Sequence, residues 1–251
     1  VTDAAAARAI AVLPRAATEQ HGPHLPLGTD VMIAQAYLAR VRARLPDGLP
    51  VTFLPVQPVG ISTEHIDYPG TLTLPPEAAL QNWRAIGESV ARAGLRRLVM
   101  VTSHGGNSAA MMLVAQELRA HHGMLAVTTS WNRLSAPEAE FSADEVRDGI
   151  HGGAVETSIM LAAWPQHVRR EAVADFRSAV AGHDYRHLSI ARPAPYAWQA
   201  QDLHCAGVVG DAGQATAEKG ERLLYHGAQA FCELLADIAR FDITSLASRG
   251  A

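Results

Sequence analysis

Two hydrophobic rhythms alternate along this chain. Short apolar runs bounded by Gly and Pro give way to longer stretches with apolar residues three and four apart. The first run, Ala9–Ala16, reads as a buried strand, and the Gly- and Pro-rich loop Thr18–Gly28 follows it. A helix begins at Thr29 or Asp30, either of which could cap it, and carries Val31, Ile33, Ala34, Tyr37, Leu38 and Val41 on one face. The pattern then repeats: strand Val51–Val59, loop Gly60–Leu74, helix Pro75–Ala93, strand Arg97–Ser103, loop His104–Ser108, helix Ala109–His121, strand Leu125–Trp131. Residues 132–150 look irregular, and a helix enters at His151–Gly153 and runs through Trp164. Residues 175–204 have no clear period and read as a long loop or insertion. Gly207–Asp211 is expected as a short strand and turn, and Thr216–Phe241 as a closing amphipathic helix.

Strands alternating with helices, and strands apolar throughout, predict an α/β domain with a mostly parallel sheet. A single domain spanning 1–251 is expected. In such sheets ligands bind outside the carboxyl ends of the strands. The loops after Ala16, Val59 and Ser103 fall there.

Composition narrows the function. With 21 basic and 25 acidic side chains the net charge is −4, so neither nucleic acid nor an anionic membrane is the expected partner. No apolar run is long enough to span a bilayer. The chain opens on Val1, and its Ala4–Ala7 stretch followed by Arg8 does not resemble a signal peptide. The two cysteines, Cys205 and Cys232, form no CxxC pair, which excludes a thiolate zinc cluster and suits a cytoplasmic protein. Gly105-Gly106 does not extend to GxGxxG, and there is no P-loop.

Chemistry is concentrated around histidine, which occurs 12 times. Glu19 and His21 are two residues apart, so on extended chain both point the same way. Asp30 stands at a helix start and His104 at a strand end. Two carboxylates and two imidazoles suit Zn, Mn, Fe or Co. His104-Gly105-Gly106-Asn107 permits close backbone approach to a ligand. His151-Gly152-Gly153 with Glu156 is a second such element, and Glu64-His65 occupies a third loop. Arg147 would add positive charge near the mouth and favour an anionic substrate group.

Four segments occur together in an order that resembles the creatininase family of metal-dependent amidohydrolases: TEQHGPHLPLGTD, SHGGNS, HGGAVETSIML and GVVGDAGQATAEKG. The resemblance runs from about Ile10 to Phe241. It implies a three-layer αβα fold, a homohexamer, two divalent metal ions (Zn, Mn or Fe), and hydrolysis of a non-peptide C–N bond in a small amide, cyclic amide or amidine by a metal-bound hydroxide. It implies Glu19, Asp30 and His104 as ligands of one metal, with His21 and a bridging Asp30 on the other. His151 would be the catalytic histidine near the scissile bond, with Glu156 its acidic partner. Glu64, His65, Gly105, Asn107 and Asp148 are the expected substrate-binding residues.

The departures bear on substrate. Creatinine-hydrolysing members carry Tyr and a metal-binding Glu where this chain has Gly105 and Gly106, so Glu156 or a water must complete the second metal. They carry Trp-Asp where this chain reads Arg147-Asp148. A small flat ring would lose both aromatic partners. The HGGN version is similar to the broader family, which includes a formamide deformylase and a peptidase trimming a modified precursor. A metal-free scaffold protein is the alternative from another class, but it would have no need of the whole ligand set.

Overall fold

The computed structural model describes residues 8–183, 185–190 and 193–246. The Ala4–Ala7 stretch lies outside them. The central sheet has four parallel strands, β1 (Ile10–Arg15), β2 (Val51–Phe53), β3 (Arg97–Thr102) and β4 (Leu125–Ser130), in the order β2-β1-β3-β4. β1 and β3 are central and buried at every position, which is why both read as mainly apolar runs, with polar residues at their ends.

Side chains alternate across the sheet. Ile10, Val12, Val99 and Val101 share one core with helices α1 (Thr29–Arg42), α6 (Ala154–Ala163) and α8 (Ala217–Arg240). Ala11, Leu13, Leu98 and Met100 face the other side, against α2 (Pro76–Arg92) and α3 (Ser108–His122). The result is the expected three-layer αβα architecture with a parallel sheet. Among the described residues, no helix is long and apolar enough to cross a membrane.

The second strand is shorter than expected. Regular pairing ends at Phe53, and Pro55 and Pro58 break the ladder. The segment still tracks β1 through Leu54 N–H to the Val12 carbonyl (2.9 Å) and Gln57 N–H to that of Pro14 (3.0 Å). Residues 132–150 are more ordered than expected: α4 (Trp131–Leu134) and α5 (Ala143–Asp148) are capped by Ser130 and Ser142. Among its described residues, the 175–204 segment holds short pieces: β5 (Asp175–Phe176), β6 (Leu188–Ser189), β7 (Ala194–Pro195) and α7 (Ala200–Leu203). β8 (Gly210–Asp211) pairs with β5.

Register places the site. Arg15 pairs with Thr102, so β1 and β3 end level and release their loops at the same edge. α1 starts there too, tied by the Ser103 hydroxyl donating to the Asp30 carbonyl (2.8 Å).

Candidate metal centre

Glu19, His21, Asp30, His104 and His151, from four separate stretches of chain, are all nearly or fully buried. Asp30 is not a helix cap. Gly28 holds that position, and Asp30 lies in the first turn with Oδ2 lacking any hydrogen-bond partner among the described residues. That oxygen is 3.8 Å from His104 Nδ1 and 4.0 Å from His21 Nε2. Glu19 Oε1 is 3.0 Å from His104 Nδ1 and 3.7 Å from His151 Nδ1. Glu156 Oε2 is 3.6 Å from His21 Nε2 and accepts the Gly152 N–H (2.7 Å). Two ligand-like groups result, Glu19–Asp30–His104 and His21–His151–Glu156, and Glu19–His65–His151 is a third.

The tautomers follow from the backbone. His104 Nε2 lies 2.7 Å from the Ile61 carbonyl, so it carries the proton and leaves Nδ1 bare. His21 Nδ1 donates to the Glu19 carbonyl (3.1 Å), leaving Nε2 bare. His151 Nε2 donates to the Gln20 carbonyl (2.8 Å), leaving Nδ1 bare. Three nitrogen lone pairs therefore face carboxylate oxygens, and Glu19 Oε1 and Oε2, Asp30 Oδ2 and His21 Nε2 have no hydrogen-bond partner among the described residues. Buried acceptors facing acceptors are unfavourable unless a cation lies between them. The donor set of imidazole and carboxylate fits divalent transition metals.

The electrostatics agree. Burial opposes charge on Glu19, yet the neighbouring His104, with His151 and His65, holds its carboxyl below the usual range. Burial also opposes protonation of His104, but Glu19 and Asp30 raise it well above the ordinary histidine value. That pair attracts a proton when no metal is present. Burial, then the negative charge of Glu19, pushes Asp30 well above the usual carboxylate value. Burial raises Glu156 and lowers His21. His151 falls to about 4 through burial and the neighbouring His21, so it is neutral at pH 7.

Of the expected substrate-binding residues, three line the pocket beside these donors. Glu64, His65 and Gly105 do so together with Gly106, Ile150 and Trp198. Asn107 does not. Its Nδ2 donates to the carbonyl of Ala16 (3.1 Å) and to the Thr102 hydroxyl (3.2 Å), and its Oδ1 accepts the Ile61 N–H (3.0 Å). Asn107 clamps the strand ends and has no group left for substrate. Asp148 is also elsewhere. Arg147 grips it through two bonds (2.8 and 2.6 Å), and both line a neighbouring cavity with Tyr185 and Arg186. Arg147 also pairs with Asp144 (2.8 Å), so its charge is spent locally and does not favour an anionic substrate.

Three supporting residues escaped the sequence reading. Gln20, between two expected ligands, accepts the Gly22 N–H (3.0 Å) and donates its amide to the Gly207 carbonyl and to His65 Nδ1 (2.8 Å). Gly207 has φ +76°, and a Cβ there would strike the Gln20 side chain. His24 Nε2 lies 3.0 Å from both the Gly152 carbonyl and the Thr157 hydroxyl, bracing the His151 turn. Glu145 accepts the N–H groups of Ala154 and Asp211 (2.8 Å each), tying the start of α6 to β8. The available signals were the glycines at 152, 207 and 210, each with positive φ beside these side chains.

Comparison with known proteins gives the same frame. The family model for creatinine amidohydrolase matches residues 1–235. The mycofactocin precursor peptide peptidase of Mycobacterium tuberculosis is 33% identical over 218 residues, covering 84% of this chain and 78% of that one. The creatinine amidohydrolase of Pseudomonas putida is 30% identical over 241 residues, covering 88% and 86%. A crystal structure of creatinine amidohydrolase superimposes with TM-score 0.75 at 27% identity, over 96% and 95% of the two chains. Similar creatininase structures include a zinc–zinc form of a variant and a manganese form, each with TM-score 0.72. This chain belongs to the creatininase family, whose members are metal-dependent hydrolases.

Proposed function

We propose that this protein hydrolyses the C–N bond of a small amide at a two-metal centre. The single observation that carries this reading is the facing of bare imidazole nitrogens and unpartnered carboxylate oxygens in one buried cluster. Glu19, Asp30 and His104 would hold one ion. His21 and Glu156 would hold the other, with Asp30 between them. Glu156 stands where the donor set needs an acid, Gly106 having none to offer. When bound, two such ions activate water at neutral pH and polarise the amide carbonyl.

The chain's own residues do the rest. His151 is held by the Gln20 carbonyl at Nε2, so Nδ1 is the atom free to take a proton and return it to the leaving nitrogen. His65, stacked on His151 with centroids 4.1 Å apart, fixes that ring from one side. Ile150 and Trp198 give the pocket an apolar wall.

A second reading on the same centre is deformylation or peptide trimming. It is favoured by Gly105, where a side chain would meet nothing within 4 Å, and by the peptidase names of several relatives. Zinc- or manganese-loaded protein assayed against cyclic ureas, formamides and short peptides separates the readings. Hydrolysis of any class, lost in Asp30→Ala, supports the hydrolase. No turnover of any class by metal-loaded protein overturns it.

A further inference from the structure

Arg15, the last residue of β1, is a buried cation without a counter-charge. It follows Ala11 and Leu13 at a spacing of two, so it points into the layer of α2 and α3. It is 1% exposed, and its guanidinium carbon stands 3.8 Å over the ring of Trp83 on α2. The ring face offsets part of the charge. Nε and Nη1 still have no hydrogen-bond partner among the described residues, and neither has the indole N–H of the fully buried Trp83. Among those residues no carboxylate stands within ion-pair distance of Arg15. Burial lowers it to about 9, with no neighbouring anion to hold it up. Arg97 shows the ordinary outcome. It is also buried, and it donates to the carbonyls of Ile238 (3.0 Å) and Phe241 (3.1 Å).

We propose that Arg15 and Trp83 form a receptor for one carboxylate group, brought by a small free acid or by a side chain of a second copy of this chain. The inference is independent of the hydrolase reading. Three arguments carry it. An unpaired buried charge is strongly unfavourable, so the occupant is an anion rather than a neutral acceptor. The planar fork of a guanidinium matches the two oxygens of a carboxylate, and the indole N–H adds a neighbouring donor. One positive charge balances one carboxylate, whereas a phosphate dianion would leave excess charge buried. The approach is from the edge of the sheet. Past Phe53 the regular β1–β2 ladder gives way to an isolated bridge between Arg15 and Gln57, and Gln57 is only partly buried.

The test titrates acetate, with chloride as the control anion, into wild type, Arg15→Met and Arg15→Lys by calorimetry. Folding is checked by circular dichroism, and particle mass by light scattering. Acetate held by metal ions binds all three proteins, so the difference between them belongs to Arg15. For a free acid, wild type should bind acetate at one more site per chain than Arg15→Met, and chloride should not fill that site. Arg15→Lys keeps the charge without the fork and should bind acetate there more weakly, a comparison that stands if Arg15→Met does not fold. For a side chain of a second copy, acetate binding should be the same in all three, and the folded variants should fall to a lower particle mass than wild type. Equal acetate binding with unchanged mass would overturn the receptor. A site filled equally well by chloride would overturn the carboxylate assignment.

Discussion

The side-chain amide nitrogen of Gln20 lies 2.8 Å from Nδ1 of His65, and this contact decides which proton His65 carries. The amide cannot turn over. Its oxygen accepts from Gly22 N–H and its nitrogen donates to the Gly207 carbonyl, each of which permits one orientation only. His65 Nδ1 is therefore an acceptor, and its proton sits on Nε2, 3.5 Å from Glu19 Oε1. So although Glu19, His65 and His151 cluster as metal ligands would, His65 turns an N–H, not a lone pair, towards Glu19. Outer partners of this kind usually matter about 10–100-fold in metal affinity or activity.

Gln20→Glu should move the His65 proton to Nδ1, because a carboxylate there only accepts. A bare Nε2 would then face Glu19, and metal affinity or kcat/KM should fall about 10–100-fold. Nitrogen-15 spectra of histidine-labelled protein read the tautomer directly. An unchanged His65 tautomer in the variant would contradict the assignment.

His151→Ala should lose about 10²–10⁴-fold in rate while keeping its metal, if Nδ1 moves the proton. Rate and metal content measured on the same preparation check this. Loss of metal along with rate would make His151 a ligand of the His21–Glu156 group instead.

Gly106 admits no side chain. A Cβ there would collide with the Ile61 carbonyl and stand 2.5 Å from His104 Nε2. Gly106→Ala should destabilise the fold by about 1–3 kcal/mol, the range of overpacking, and displace His104. Denaturant midpoints and metal content measure both effects. Full stability with full metal would show that the loop yields without cost.

His24 gives a pH signature. Burial lowers it to about 4, so the folded protein holds it neutral, with Nε2–H donated to the Gly152 carbonyl. The unfolded chain takes up that proton near 6.5. Its contribution is complete above the unfolded value and declines as pH falls from about 6.5 towards 4. His24→Gln has no such proton to take up. The stability deficit of the variant against wild type should therefore shrink between pH 7 and pH 4.5 in denaturant titrations. A deficit independent of pH would contradict it.

The sequence made the scaffold legible where burial is two-sided. β1 and β3 are apolar at nearly every position because helices cover both faces. Glu19, His21, Asp30, His104, His151 and Glu156 were legible as chemistry, and they do converge. What stayed hidden depends on distant backbone. Asp30 resembles a helix cap by position, and only the fold shows Oδ2 left unpartnered among histidines. Asn107 resembles a ligand-binding residue, but its amide is consumed by Ala16, Thr102 and Ile61. Asp148 follows the family pattern in sequence, yet Arg147 turns it into another cavity. Gln20, His24 and Glu145 act through carbonyl and N–H groups far along the chain, which no local pattern encodes.

The central claim is that the buried carboxylates and imidazoles hold two metal ions through Asp30. Metal content per chain, by plasma mass spectrometry, tests it most directly on protein purified without chelator or affinity metal. Asp30→Ala is prepared alongside and checked for folding by circular dichroism. The account predicts close to two equivalents of divalent transition metal in the wild type, lost in the folded variant. A wild-type chain that holds no metal and takes up none on adding zinc or manganese would contradict it.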